Sequence, residues 1–256
     1  MRTLKLTFAY DGTNYHGFQR QTNAVTVQQI IEEKLAALCG EPVTVAGSGR
    51  TDTGVHAKGQ VVSLVTNGTI PAGNLVRACA GVLPEDIVLW QAEEAQEGFH
   101  ARYSACWKRY CYLVLPKPYN DPFLRNYTWQ LRDQLNVAVM NAAAAMLVGT
   151  HDFSFFRSAG SVQSSPVKTI YKAEWQMLAD GELLFTIEGN GFLYHMVRNI
   201  VWNLVEVGRG KKSVDCLAAE FVKGERDFRM VPAPAQGLYL DYVGYAQHSA
   251  SNAKKV

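Results

Sequence analysis

The order of predicted elements gives an α+β protein whose first half is a ferredoxin-like unit. Three observations carry this. Period-two apolar runs alternate with stretches at helical spacing. Over residues 4–94 they follow the order β-α-β-β-α-β. The rest of the chain is a looser repeat of the same theme, with no repeat in sequence strong enough to prove duplication.

Leu4, Leu6, Phe8 and Tyr10 alternate and predict the first strand. A Gly- and Asn-bearing loop follows. Thr26-Val27-Gln28-Gln29 reads as a capping box, with Val25 and Ile30 placed as a hydrophobic staple. Val27, Ile30, Ile31, Leu35 and Leu38 then recur at helical spacing until Gly40 ends the helix. Strands are expected at 42–48 and 60–66, around a Gly-rich loop at 49–59. A short helix near 72–82 and a strand near 87–94 complete the first half. The second half reads as strands at 105–115 and 126–131, then an Ala-rich helix at 134–148 stopped by Gly149. Strands follow at 169–178 and 183–190, with Gly181 in their turn, then helices at 194–207 and 214–223 and a strand at 238–245. The expected division is an N-terminal domain at 1–100, a C-terminal domain at 101–246 and a frayed tail at 247–256.

The 256 residues suffice for one large domain or two small ones. With 48% hydrophobic and 19% charged residues the composition is that of a globular protein. No segment approaches the ~20 apolar residues that span a bilayer. The start, Met1-Arg2-Thr3-Leu4-Lys5, reads as a strand and not a signal peptide, so a cytoplasmic location follows by default. Cys39, Cys79, Cys106, Cys111 and Cys216 are odd in number and lack CxxC spacing, which fits reduced, mostly buried thiols. A net charge of +2 neither demands nor excludes a nucleic acid. Basic residues gather at Lys108-Arg109, Arg209-Gly210-Lys211-Lys212 and Lys254-Lys255, where solvated surface charge and RNA contact explain them equally well.

Three stretches carry possible chemistry. In Ser48-Gly49-Arg50-Thr51-Asp52-Thr53-Gly54-Val55-His56-Ala57, glycines flank a guanidinium, hydroxyls and a carboxylate. Asp52 there could serve as nucleophile or general base, or merely cap local amides in an Asx-turn. Dinucleotide, P-loop and nucleophile-elbow patterns fail on this loop, no metal-ligand cluster accompanies it, and it offers one carboxylate where a glycosidase wants two. In Phe99-His100-Ala101-Arg102-Tyr103 through Lys108-Arg109-Tyr110-Cys111-Tyr112, alternation puts Tyr110 and Tyr112 on one strand face. That face suits stacking on an unpaired base, or packing on a core. In Tyr194-His195-Met196-Val197-Arg198, helical spacing lines Tyr194, His195 and Arg198 on one side. A cation on so apolar a helix is expected to be paired.

Together with Tyr10-Asp11-Gly12-Thr13-Asn14-Tyr15-His16-Gly17-Phe18-Gln19-Arg20-Gln21 and Gly237-Leu238-Tyr239-Leu240, these stretches resemble the tRNA pseudouridine synthase A family, in order, over residues 4–245. Phe18 stands where that family often has Trp, an aromatic exchange that leaves stacking possible, and Thr53 where Ala is common. The resemblance implies two ferredoxin-like halves whose mostly antiparallel sheets join into a central sheet, with the active cleft between them. It implies isomerisation of uridine to pseudouridine at three adjacent positions, 38–40, of the tRNA anticodon stem-loop, without cofactor or metal, by a homodimer. Asp52 matches the family's essential carboxylate, acting either as nucleophile on C1′ of the ribose or as base on C2′. Arg198 is the expected ion-pair partner that holds it ionised and oriented. Tyr110 is expected to stack on the target uracil, and Leu238 to pack beside the site. Arg102 and His195 fall in the family's motifs and are taken as substrate-binding. Arg50 is expected to point into the RNA, filling the space of the extracted nucleotide or binding a phosphate. Two other readings remain beside this one: a catalytically silent RNA-binding protein, and a small-molecule hydrolase using Asp52 in a closed, mostly apolar pocket.

Overall fold

A computed structural model of the chain describes residues 1–160, 165–225, 230–246 and 248. The expected tail at 247–256 and the pair Lys254-Lys255 fall, His248 apart, outside the described residues. The architecture is α+β with mostly antiparallel sheet, in two compact units: Met1–Cys106 with Tyr239–Val256, and Trp107–Leu238.

In the first unit, β1 (Arg2–Tyr10) lies between β3 (His56–Thr66) and β4 (Ile87–Ala95), antiparallel to both. The short β2 (Val45–Gly47) pairs with β3, so the order β4-β1-β3-β2 is that of the predicted ferredoxin-like unit. The last strand, β10 (Leu238–Gly244), runs parallel to β3. The alternation of β1 buries Leu4, Leu6, Phe8 and Tyr10. Helices α1 (Val27–Cys39) and α2 (Ala72–Ala80) supply Val27, Ile31, Leu35, Leu75 and Cys79 to this core. The capping box at the start of α1 is half formed. Thr26 accepts from the Gln29 amide, but the Gln29 side chain turns to Glu33, and Val25, half of the expected staple, is exposed.

Strand β3 begins at His56, inside the loop expected at 49–59. Gly59 does not break it. A Cβ there would come within 2.5 Å of the Asp241 carbonyl on β10, so this glycine marks close backbone approach between paired strands. Registers Phe8↔Gln60 and Tyr10↔Ala57 leave one extra residue on β3, a bulge at the mouth of the loop.

In the second unit, β5 (Trp107–Pro116), β9 (Leu183–Gly189), β8 (Val167–Met177) and β7 (Gly149–Asp152) form an antiparallel run, with β6 (Trp129–Leu131) parallel to β5. Helix α3 (Val137–Ala145) packs on β8 and against α4 (Met196–Gly208) and α5 (Val214–Lys223). Gly149 does not stop that helix. It opens β7 at φ 114°, a strand the Ala-rich run concealed. Phe153, Phe156 and Phe221 form an aromatic cluster beside β7. Of the cysteines, Cys79 and Cys111 are buried and Cys39 half-buried, whereas Cys106 and Cys216 are exposed, against the expectation of mostly buried thiols.

Candidate active site

The loop between β2 and β3 alternates its side chains. Ser48 and Thr51 point inward and are buried, Arg50 is exposed, and Asp52 is half-buried. The loop closes as a tight turn: the Val55 amide donates to the Asp52 carbonyl at 3.1 Å, and Gly54 takes φ 75°. His56, four residues past Asp52, is buried. Its Nδ1 accepts from the Gly12 amide at 3.0 Å, with Asp11 Oδ1 3.1 Å away, and its ring stacks on Tyr239.

The segment Asp11–Gln21 lies beneath this loop, which explains its glycines. The Phe18 amide donates to the Thr51 carbonyl at 3.1 Å, and the Gly54 amide to the Tyr15 carbonyl at 3.3 Å. Gly17 has φ 84°, and a Cβ on it would sit 2.6 Å from the Thr51 carbonyl. A Cβ on Gly12 would collide with the Val55 carbonyl. Phe18 is buried, its ring against Gly47 and Tyr10. Phe18 is thus a wedge under the loop, and its ring stacks on Tyr10 inside the core at 6.4 Å.

Arg50 Nε donates to Gln19 Oε1 at 3.2 Å. Gln19 donates in turn to Gln28 Oε1 at 2.7 Å, and Gln28 to Glu32 Oε1 at 2.8 Å. Arg20 closes the chain through Nη1 to Glu32 Oε2 at 2.8 Å. Gln28 and Glu32 are buried on α1, and Glu32 also accepts the Val45 amide. Sequence reasoning missed this relay. The signal was present: positions 28 and 32 share the inward side of α1 with Val27, Ile31 and Leu35. Polar residues at such positions mark a local rule broken for a reason.

In the second unit, Tyr110 is buried in β5 with Phe192 edge-on at 5.1 Å. Tyr112 is fully buried; its hydroxyl donates to the Pro234 carbonyl at 2.7 Å, and burial holds its phenol well above the ordinary range, with Arg198 opposing. Arg198 is half-buried in the first turn of α4, and its Nε donates to the Ala233 carbonyl at 2.6 Å. The Ala233 amide donates back to the Arg198 carbonyl at 3.2 Å. The segment Ala233–Gly237 thus joins Arg198 and Tyr112 and leads directly into Leu238, which is buried.

His195 is not a helical residue. It caps α4 at φ 59°, ψ 5°, and the helix begins only at Met196. The single helical side expected for Tyr194, His195 and Arg198 therefore does not exist. His195 Nδ1 lies 3.1 Å from Ser158 Oγ, and the ring stacks on Tyr194 at 3.8 Å. Arg102 is exposed, its guanidinium over the Tyr103 ring, in a turn where His100 Nδ1 accepts the Arg102 and Tyr103 amides.

In two of the basic clusters, Arg109, Arg209 and Lys212 are held in ion pairs. Arg109 is buried and donates to Glu188 Oε1 at 2.7 Å, directly across the β5–β9 ladder. Arg209 bridges Asp133 and Glu206, and Lys212 pairs with Glu220. Among the described residues, no group of three or more His, Cys, Asp and Glu side chains could hold a metal ion. No helix among them is long and apolar enough to cross a membrane.

The family model described as tRNA pseudouridine synthase matches residues 6–104 and 143–246. A tRNA pseudouridine synthase A of Thermoanaerobacter sp. (strain X514) is 45% identical over 245 residues, covering 96% of this chain and 100% of the relative. The protein of the same name from Ruminiclostridium cellulolyticum is 44% identical with the same coverage. That from Lacticaseibacillus casei is 43% identical over 247 residues, again 96% of this chain and all of the relative.

Proposed function

This chain belongs to the tRNA pseudouridine synthase family, and on that premise we propose that it isomerises uridine to pseudouridine in the tRNA anticodon stem-loop with Asp52 as the reacting carboxylate. The observation that carries the assignment of Asp52 is its mounting. The turn bearing it is fastened to the Asp11–Gln21 segment by two backbone hydrogen bonds and by glycines that admit no Cβ. A reacting group must be held close to its productive geometry, and misplacement by an ångström is expensive.

In the proposed reaction the bond from uracil N1 to C1′ breaks, the uracil turns, and C5 bonds to C1′. The C5 hydrogen leaves and N1 gains a proton, so the product is an isomer. Asp52 starts this as nucleophile at C1′ or as base at C2′. Arg198 is assigned as its counter-charge, Tyr110 as the ring beside the target uracil, and Leu238 as apolar packing near it. Arg50 and Arg102, both exposed, and His195 are assigned to the RNA. No cofactor enters the scheme. The functional division follows: residues 1–100 bear the carboxylate, and residues 101–246 bear Tyr110, Arg198 and Leu238. Two copies acting as a dimer and a cytoplasmic location complete the proposal.

The test is release of tritium from C5-labelled uridine in tRNA. The native protein should release it; a silent RNA-binding protein would not. Asp52→Asn should release it at least roughly a hundredfold more slowly, with tRNA binding within a few-fold of native. Native speed in the Asn variant would overturn the assignment. The hydrolase reading gains nothing from the depression of about 480 Å³ on the second unit, lined by residues such as His151, Asp152, Phe221 and Lys223. It contains none of Asp52, Tyr110 and Arg198.

A further inference from the structure

We propose that Tyr10, with Gln60 beside it, is a positioning residue that aims the Asp52 turn by gripping the residues on either side of Arg50. The inference rests on the reading of Asp52 as the reacting carboxylate.

The hydroxyls of Tyr10 and Thr51 lie 2.8 Å apart, and both residues are buried, at 4% and 7% exposure. Thr51 immediately precedes Asp52, and its carbonyl is already taken by the Phe18 amide. Thr51 is therefore held at both its side chain and its backbone. Gln60 is fully buried on β3. Its Oε1 accepts from Ser48 Oγ at 2.7 Å, its Nε2 donates to the Gly49 carbonyl at 2.8 Å, and its amide lies beside the Tyr10 hydroxyl. Ser48, Gly49 and Thr51 are thus each fixed from below, on both sides of the exposed Arg50 and next to the half-buried Asp52. The bulge between Ala57 and Gln60 lies where β1 and β3 deliver both side chains to the loop.

Polarity here needs a reason. A buried hydroxyl costs free energy unless bonded, and Phe would fill the Tyr10 site without that cost. A fully satisfied buried network, by contrast, makes one backbone conformation rigid. Burial drives the Tyr10 phenol far above its ordinary range, so it stays protonated at any working pH. Buried and with its hydroxyl on Thr51, Tyr10 acts on the reaction through Thr51 and does not touch substrate.

The experiment compares Tyr10→Phe, Thr51→Val, Thr51→Ser and the double variant Tyr10→Phe/Thr51→Val with the native protein and Asp52→Asn. It reads single-turnover tritium release per tRNA-binding molecule, and tRNA affinity. Tyr10→Phe and Thr51→Val should each slow the chemical step on the order of tenfold to a hundredfold, with affinity within about twofold. Thr51→Ser, which keeps the hydroxyl, should restore most of the rate. The double variant should be no slower than the slower single one, because both remove the same bond. Should Tyr10→Phe fold too poorly to assay, the contrast between Thr51→Val and Thr51→Ser decides alone. Native rates in Tyr10→Phe and Thr51→Val, or equal losses of rate and affinity, would overturn the positioning role. An active Asp52→Asn would instead sink the reading on which it rests.

Discussion

Arg50 stands exposed on its loop, yet its guanidinium is tethered to Gln19 and, through Gln19, to a relay that ends on the buried Glu32. A tethered cation loses less freedom when it meets a phosphate or fills a vacated base position than a loose one does. Extraction of a stacked nucleotide costs a few kcal/mol, which an already unpaired uridine avoids. Arg50→Ala should therefore slow modification of stem uridines more than of unpaired ones, measured by tritium release from tRNAs differing only at that pair. A uniform loss would show that Arg50 acts on binding alone. Arg50 and Asp52 were legible in the sequence because glycines and polar side chains interrupt two strand patterns. The reach of Arg50 to Gln19 was not, because those residues are 31 positions apart and meet only when the Asp11–Gln21 segment slides under the loop.

At the scale of elements, β5 and β9 carry an ion pair that alternation alone could not place. Arg109 belongs to a basic pair that resembles surface charge, but the register sets it opposite Glu188, and both side chains are almost wholly buried. Removing one partner from such a pair strands the other charge, at a cost of about 3–5 kcal/mol. Glu188→Ala should accordingly lower the denaturant midpoint of the protein strongly, whereas Arg109→Met with Glu188→Leu should recover much of the loss. If Glu188→Ala unfolds at the native denaturant concentration, the pair adds nothing. The element boundaries failed in the same way. Gly59 fell in the expected loop and Gly149 read as a helix stop, yet one allows β10 to approach β3 and the other starts β7. His195 read as helical from its apolar neighbours, while its backbone is left-handed and caps α4.

At the scale of the whole molecule, each unit buries tyrosine hydroxyls. In the first, burial raises the phenols of Tyr10, Tyr15 and Tyr245, with hydrogen bonding and charge from Asp86 adding to Tyr15. In the second, it raises Tyr112. A group whose folded pKa lies above its unfolded value, roughly 10 for tyrosine, adds stability that is complete below that value. That stability is lost as pH climbs towards the folded one, because the unfolded chain releases its proton first. Urea midpoints should stay level from about pH 7 to 9 and fall above about pH 10, less steeply in Tyr10→Phe; midpoints that stay flat through strongly alkaline solution would contradict this. The amino-acid sequence by itself determined most of the element types, the ferredoxin-like order of the first unit and the family, since periodicity, glycines and motif residues act over a few positions of chain. Only the tertiary structure decided which polar side chains are buried together, as with Tyr10, Gln60 and Thr51, or Gln28 and Glu32. Burial and partnership depend on strand register and on segments far apart in sequence, and no local pattern encodes either.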